Sequence, residues 1–145
     1  MWNEIKSDDN ILELMKIYGN FHDSCIKELK YISGAFVNPD LSMNPMNNSR
    51  NLRMIFQRQC KDPMAIEMEF SELVSLNLNP NDENYTCELL DVAMFFENGY
   101  IYWGDSDWFA VQKEAYEGTW ICAKKAKWRI VDEYIGEEEV YGAYR

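Results

Sequence analysis

Histidine occurs once in this 145-residue chain, at position 22, which excludes a metal centre built on several imidazoles. The four cysteines, Cys25, Cys60, Cys87 and Cys122, are scattered. No C-x-x-C pair exists to present two thiolates from one turn, so no thiolate metal site is expected, only reduced thiols in or beside the core. No run approaches the ~18 apolar residues of a membrane-spanning helix. Met1-Trp2-Asn3-Glu4 shows no basic region leading into an apolar stretch, so no secretory leader is expected, and a cytoplasmic location is. Glycine-rich phosphate loops, a G-x-S-x-G elbow and a dinucleotide fingerprint are all missing, and no cofactor is expected.

Positive charge is also in short supply. Lys and Arg number 14 against 25 Asp and Glu, a net charge of −11. The deficit lies wholly in the second part: residues 1–60 hold seven bases and seven acids, residues 61–145 seven bases and eighteen acids. Such a surface repels nucleic acid and anionic lipid and attracts basic partners. Apolar residues are plentiful, at 47% with 14% aromatic. One domain over residues 1–145 is therefore expected to bury a real core.

Residues 8–18 carry a helical stripe of Ile11, Leu12, Leu14, Met15 and Tyr18. Asp8, Asp9 or Asn10 suits its N-terminus, Asn10 and Glu13 have capping-box spacing, and Gly19 suits its left-handed C-terminal stop. Residues 25–37, 51–59, 66–71 and 74–78 alternate as strands, with Leu29 and Tyr31 opposite Ile26 and Ile32 in the first. Residues 38–50, with two prolines and four asparagines, form a long loop expected to be mobile or functional. Asn98-Gly99 predicts a two-residue type I′ hairpin pairing Glu97 with Tyr100, Phe96 with Ile101, Phe95 with Tyr102 and Met94 with Trp103. Its core face would carry Leu90, Val92, Met94, Phe96, Ile101 and Trp103; the other would be aromatic and acidic. A short helix fits residues 109–118. A last strand over residues 119–131 would place Trp120, Cys122, Lys124, Ala126, Trp128 and Ile130 on one face. The tail, residues 132–145, is acidic and expected to be exposed. The fold class is α+β: an N-terminal helix packed on a twisted, mostly antiparallel sheet of about six to eight strands.

Few constellations carry chemistry. His22 sits in Phe21-His22-Asp23-Ser24, but adjacent residues rarely face one another as a triad requires. A structural turn is expected instead: Phe21 anchoring, His22 bonding a carbonyl, Asp23 or Ser24 accepting backbone N–H groups. Asp105-Ser106-Asp107 begins like a calcium loop, but the glycine and glutamate needed later are Ala110 and Tyr116, so no metal is assigned. Glu67 and Glu69 share a strand face like a glycosidase pair, yet alternate with core residues as a solvated face does. Lys125, Lys127 and Arg129 form a basic stripe without interleaved aromatics, which suits cross-strand pairing with Glu67, Glu69 or Asp91 better than nucleic acid.

Tyr18-Gly19-Asn20-Phe21-His22-Asp23-Ser24-Cys25-Ile26 resembles the G-x-F-H-D-(A/S)-x-(I/V) segment of small bacterial proteins among the immunity proteins of polymorphic toxin systems. Those chains also place this turn between a first helix and a first strand, then a segment like residues 66–78 and a strand hairpin. The resemblance implies a non-enzymatic cytoplasmic protein that binds and blocks a cognate toxin. An acidic inhibitor would meet a basic toxin domain rapidly and salt-sensitively. The expected partner-binding residues are Tyr100, Tyr102, Asp105, Asp107 and Trp108, aromatic anchors within an acidic rim. One alternative is a homodimer joined through Phe95, Tyr100 and Tyr102. The other is an enzyme pairing His22 with a distant carboxylate.

Overall fold

The computed structural model describes residues 1–142; the last three residues of the expected tail lie outside the described residues. Nine strands and two α-helices follow in order: β1 (Asn3–Ile5), α1 (Asp8–Ile17), β2 (Ser24–Ile32), β3 (Phe36–Val37), β4 (Met43–Asn44), β5 (Asn51–Arg58), β6 (Ala65–Asn77), β7 (Ala93–Glu97), β8 (Tyr100–Gly104), α2 (Trp108–Val111) and β9 (Trp120–Ile130). Seven strands form one sheet in the order β2-β5-β6-β9-β8-β7, with β1 added to β9, and every pair is antiparallel. This is a mixed α/β fold on an antiparallel sheet. The β5–β6 and β7–β8 pairs join through short connections, as antiparallel strands can, whereas β6–β9 and β1–β9 bring together segments distant in the chain.

Helix α1 begins one residue before the expected caps. Ser7 is the N-cap, its hydroxyl accepting the Asn10 N–H at 3.3 Å, while the Asn10 side chain accepts the Lys6 N–H at 2.9 Å. Asp8 and Asp9 fall in the first turn, where their charge complements the helix dipole. Gly19 takes the left-handed stop with φ +57°. Ile11, Leu14 and Tyr18 join Phe21, Phe56, Phe70, Ile101 and Trp103 in the main core.

Three departures from strict alternation set the faces. A bulge between Ile26 and Glu28 inserts Lys27 into β2. Ile26 and Leu29, expected on opposite faces, therefore both pack against the core. In the long β6, Glu72 adopts φ +51° and a second bulge sits between Leu73 and Ser75. Leu73 is buried and Val74 exposed. The face of β9 changes at the same level: Ile121 and Ala123 face the main core above it, Ala126 and Trp128 below it, so the single face expected through Lys124 does not exist. There β9 also changes neighbours, pairing β8 through Trp120–Ala123 and β1 through Ala126–Trp128.

The β7–β8 hairpin has the expected register throughout, with Asn98 and Gly99 both at positive φ as a type I′ turn needs. Val92, Met94, Ile101 and Trp103 are buried, but Leu90 is exposed and Leu89 is buried in its place. The Leu89 N–H and C=O are bonded to Ser24 O and Asp23 N, which breaks the alternation before β7 starts. Residues 38–50 contain β4, which pairs with β3 in a small separate ribbon. The tail is more tightly held than its composition suggests. Gln57 Nε2 donates to the Tyr134 and Gly136 carbonyls, Lys27 Nζ to those of Glu137 and Glu138, and Glu28 accepts the N–H groups of Val140 and Tyr141. The side chains of Glu137, Glu138 and Glu139 remain exposed. All four cysteines are free, but Cys60 and Cys87 are exposed rather than beside the core, because both lie in connections between strands.

Candidate functional site

Residues 79–119 hold nine acids and a single base, Lys113. Among the described residues only Glu97 of these nine acids is in an ion pair, with Lys113. The other eight have no basic partner among the described residues, so the region presents an excess of negative charge.

This acidic region folds as a lobe around the β7–β8 hairpin. Residues 105–119 cross the face of the hairpin turned away from the main core. Phe109 is fully buried there, with ring centroids 5.8 Å from Phe95, 5.2 Å from Tyr116 and 5.7 Å from Trp120. Phe95 and Tyr102 stack at 5.2 Å, with Lys113 Nζ 4.5 Å from the Tyr102 ring centre. The chain's own α2 segment therefore covers part of the face expected to join two copies, leaving Phe95, Tyr100 and Tyr102 each partly buried. Gly104 makes this possible, since a Cβ there would overlap the Phe109 ring.

The five expected partner-binding residues separate into two groups. Asp107 and Trp108 are exposed, and Tyr100 is half-buried opposite Glu97. Tyr102 and Asp105 serve the lobe's interior. Asp105 accepts the Thr119 N–H at 3.1 Å and the Tyr116 hydroxyl. Burial and the Asp105 carboxylate both push the Tyr116 phenol well above its ordinary range. Sequence spacing cannot separate these roles, because Asp105 and Asp107 look alike until residues 116–119 return beside Asp105.

Between this lobe and α1 runs a cleft of about 470 Å³. Ile11, Leu12 and Met15 form one wall, Asp107 and Ala110 the other, and Val92, Ala93, Met94, Phe95 and Glu97 the floor. The only charged lining residues are Glu97 and Asp107. Trp108 and Leu12 are both exposed, at 60% and 66%.

The Phe21-His22-Asp23-Ser24 turn lies beneath the opposite end of this region. Phe21 is fully buried despite φ +64°, packed edge-on against Tyr18 and Phe56. A left-handed aromatic is strained, and burial of its ring offsets that strain. Ser24 Oγ donates to the Phe21 carbonyl at 2.5 Å, and the Asp23 N–H donates to Leu89 O at 2.9 Å. His22 Nδ1 lies 2.7 Å from the Leu90 carbonyl, so it carries the proton. Its Nε2 is 3.6 Å from Asp23 Oδ2, beyond hydrogen-bond reach. The turn thus joins the end of α1 to the entry into β7.

On the other side of the sheet, Glu67 and Glu69 correct the expectation of a solvated face. Glu67 is 1% exposed. Its carboxylate receives Arg129 Nε at 2.9 Å, Arg129 Nη2 at 2.8 Å and the Tyr141 hydroxyl at 2.5 Å. Glu69 lies 3.3 Å from Arg53 and 4.0 Å from Lys127, and accepts Asn51 Nδ2 at 2.9 Å. The Trp2 ring caps this network, with Arg53, Lys127 and Arg129 all within cation–π range. Lys127 and Arg129 of the basic stripe are thereby engaged by the protein's own acids, while Lys125 pairs with Glu72 at the surface. The sequence placed the pairs, but not the tail and Trp2 that cover them.

A second cavity, of about 660 Å³, is lined by Cys25, Arg58, Tyr85, Cys87 and the tail near Ile135. Burial, then the neighbouring Cys87, raise the Cys25 thiol above its ordinary pKa, so neither geometry nor charge prepares it as a nucleophile. Among the described residues no group of three or more His, Cys, Asp and Glu side chains is placed to hold a metal ion. No helix of the described residues is long and apolar enough to cross a membrane. In comparisons with protein-family models, curated proteins and solved structures, nothing matches this chain.

Proposed function

We propose that this chain is a non-enzymatic bacterial binding protein that neutralises a basic toxin domain through its acidic lobe. One observation carries the reading: an exposed indole, Trp108, directly follows Asp107, which lines a cleft whose only charges are acidic, within a segment of nine acids and one base. An aromatic anchor inside a rim of one charge is the arrangement that gives a protein interface its affinity and its rapid, salt-sensitive association. The turn resembling that of the immunity proteins supports the same reading. The direct experiment co-expresses the protein with the product of the adjacent gene. We expect that product to be toxic alone, its toxicity to be lifted by this protein, and the complex to weaken as salt rises. A harmless neighbour, or a toxic one that does not bind, refutes the reading.

A second reading, self-association, draws on a different surface. The β3–β4 ribbon exposes Phe36, Val37, Leu41, Met43 and Met46, each by more than half. Exposed apolar side chains gathered on one projection mark an interface. Molar mass by light scattering at about 0.15 M and about 1 M salt separates the two readings, because apolar contacts survive salt and charge attraction does not. A monomer at both removes the second.

A further inference from the structure

Besides the three-residue β1, two strands of the sheet pair on one side only, β2 and β7, and their edges are treated differently. Strand β2 carries the defences that stop edges from pairing with other chains: a bulge at Lys27, a second lysine at Lys30, and the tail tied to it through Glu28. Strand β7 has none. Its sequence, Ala93-Met94-Phe95-Phe96-Glu97, contains no lysine and no proline, and its pairing with β8 runs without a bulge. Glu97 and Tyr100 flank the two-residue turn and so exchange both their backbone bonds. Phe95 and Ala93, two and four residues back, likewise face β8. Met94 and Phe96 consequently turn their N–H and C=O groups outward. Among the described residues, no hydrogen bond from outside the hairpin reaches either of them.

Most of this edge, Ala93, Met94, Phe95 and Glu97, lies on the floor of the acidic cleft. Its two walls differ in chemistry: apolar Ile11, Leu12 and Met15 from α1 on one side, Asp107 on the other, with Glu97 at the end of the floor. Side chains of an added strand would alternate between those walls.

We propose that the β7 edge takes up an extended segment of a partner protein as an additional strand, with apolar side chains directed at α1 alternating with Lys or Arg directed at Asp107 and Glu97. The inference rests on the reading of the lobe as a binding surface and names the mode and the segment it accepts. A second copy of this chain is a poor occupant. Pairing β7 with itself would bring two sets of Asp107 and Glu97 together in one sheet, and like charges so placed oppose association.

The probe is a synthetic peptide of alternating valine and lysine, with the same peptide N-methylated at alternate residues as a control of equal charge. Amide hydrogen exchange of the whole protein reads the outcome. We expect the unmodified peptide to slow exchange at Met94 and Phe96 by about tenfold or more, and the N-methylated peptide to have no such effect. Phe96→Pro removes an outward N–H without removing a bond to β8; it also removes a ring packed against the core, so a lower melting point is expected, and below it the peptide should no longer protect Met94. Asp107→Lys, at an exposed position, should weaken binding of the unmodified peptide at low salt. Equal binding of both peptides, binding without protection at Met94 and Phe96, no binding at all, or a dimer formed through β7 in the free protein would each overturn the proposal. The adjacent-gene experiment fails separately. A complex there that leaves the Met94 and Phe96 amides unprotected sinks edge addition and spares the broader reading. Absence of a complex sinks the broader reading and leaves the peptide result in place.

Discussion

Phe109→Ala should release the cover of the acidic lobe without unfolding the rest of the protein. The ring is fully buried, yet its aromatic neighbours Phe95, Tyr102, Tyr116 and Trp120 all lie outside the main core cluster. Truncating a buried phenylalanine costs about 3–5 kcal/mol in lost contacts and cavity. Here that cost falls on the docking of residues 105–119. Their other ties are polar: Asp105 to Thr119 and Tyr116, and Asn77 and Asn79 to the backbone of Gly118 and Glu117. A loss of about 3 kcal/mol corresponds to a rise of about a hundredfold in the open fraction. Amide exchange should read this directly. The Asp105, Gln112 and Ala115 amides, bonded to Thr119 O, Trp108 O and Gln112 O, should exchange about a hundredfold faster. Those of β5 and β6 should change far less. Gly104→Ala should give the same result from the opposite direction, since its methyl overlaps the Phe109 ring and drives it out. Exchange within about threefold of the parent in both variants would refute the view that Phe109 holds the lobe closed. Equal acceleration in β5 and β6 would show that the lobe is no separate unit.

Arg129→Met strands the buried Glu67 carboxylate and should cost about 3 kcal/mol in urea unfolding, whereas replacing Glu67 and Arg129 together by leucine should recover most of it; a single-variant loss below about 1 kcal/mol would contradict the pairing. Burial tends to raise the Glu28 carboxyl, but the Tyr141 and Val140 N–H groups and the Lys27 ammonium outweigh it, so its folded-state pKa lies below the ordinary value. A depressed acid stabilises the folded tail above its unfolded pKa of about 4.3 and loses that contribution as pH falls through the folded value. The Val140 and Tyr141 amides should therefore lose extra protection in acid, and Glu28→Gln should remove the pH dependence. Gly99→Ala places a side chain at φ +82° and should destabilise the hairpin by about 1 kcal/mol, seen as a lower urea midpoint with an unchanged slope.

The acidic lobe and the strand edge explain each other. A chain that carries nine acids and one base over residues 79–119 resists pairing with copies of itself, so its β7 edge can stay bare without inviting aggregation. Under the proposed strand addition, the same charges would select a basic strand.

Local signals were legible in the sequence wherever a residue's conformation depends on its immediate neighbours. The stripe of α1, the Gly19 stop and the Asn98-Gly99 turn with its register all follow from short-range geometry. The face of a residue beyond a bulge was not legible, because one inserted residue inverts everything after it, as at Lys27 and near Glu72. Nor was burial by distant segments. Tyr141, 74 residues from Glu67 in the chain, helps turn a strand acid into a buried ion pair. Phe109 turns an aromatic hairpin face into the interior of a lobe. Composition and spacing determined the acidic charge, the antiparallel class and the hairpin. Only tertiary packing decided which acids face outward and which strand edge remains open, because both depend on contacts between segments that no local pattern records.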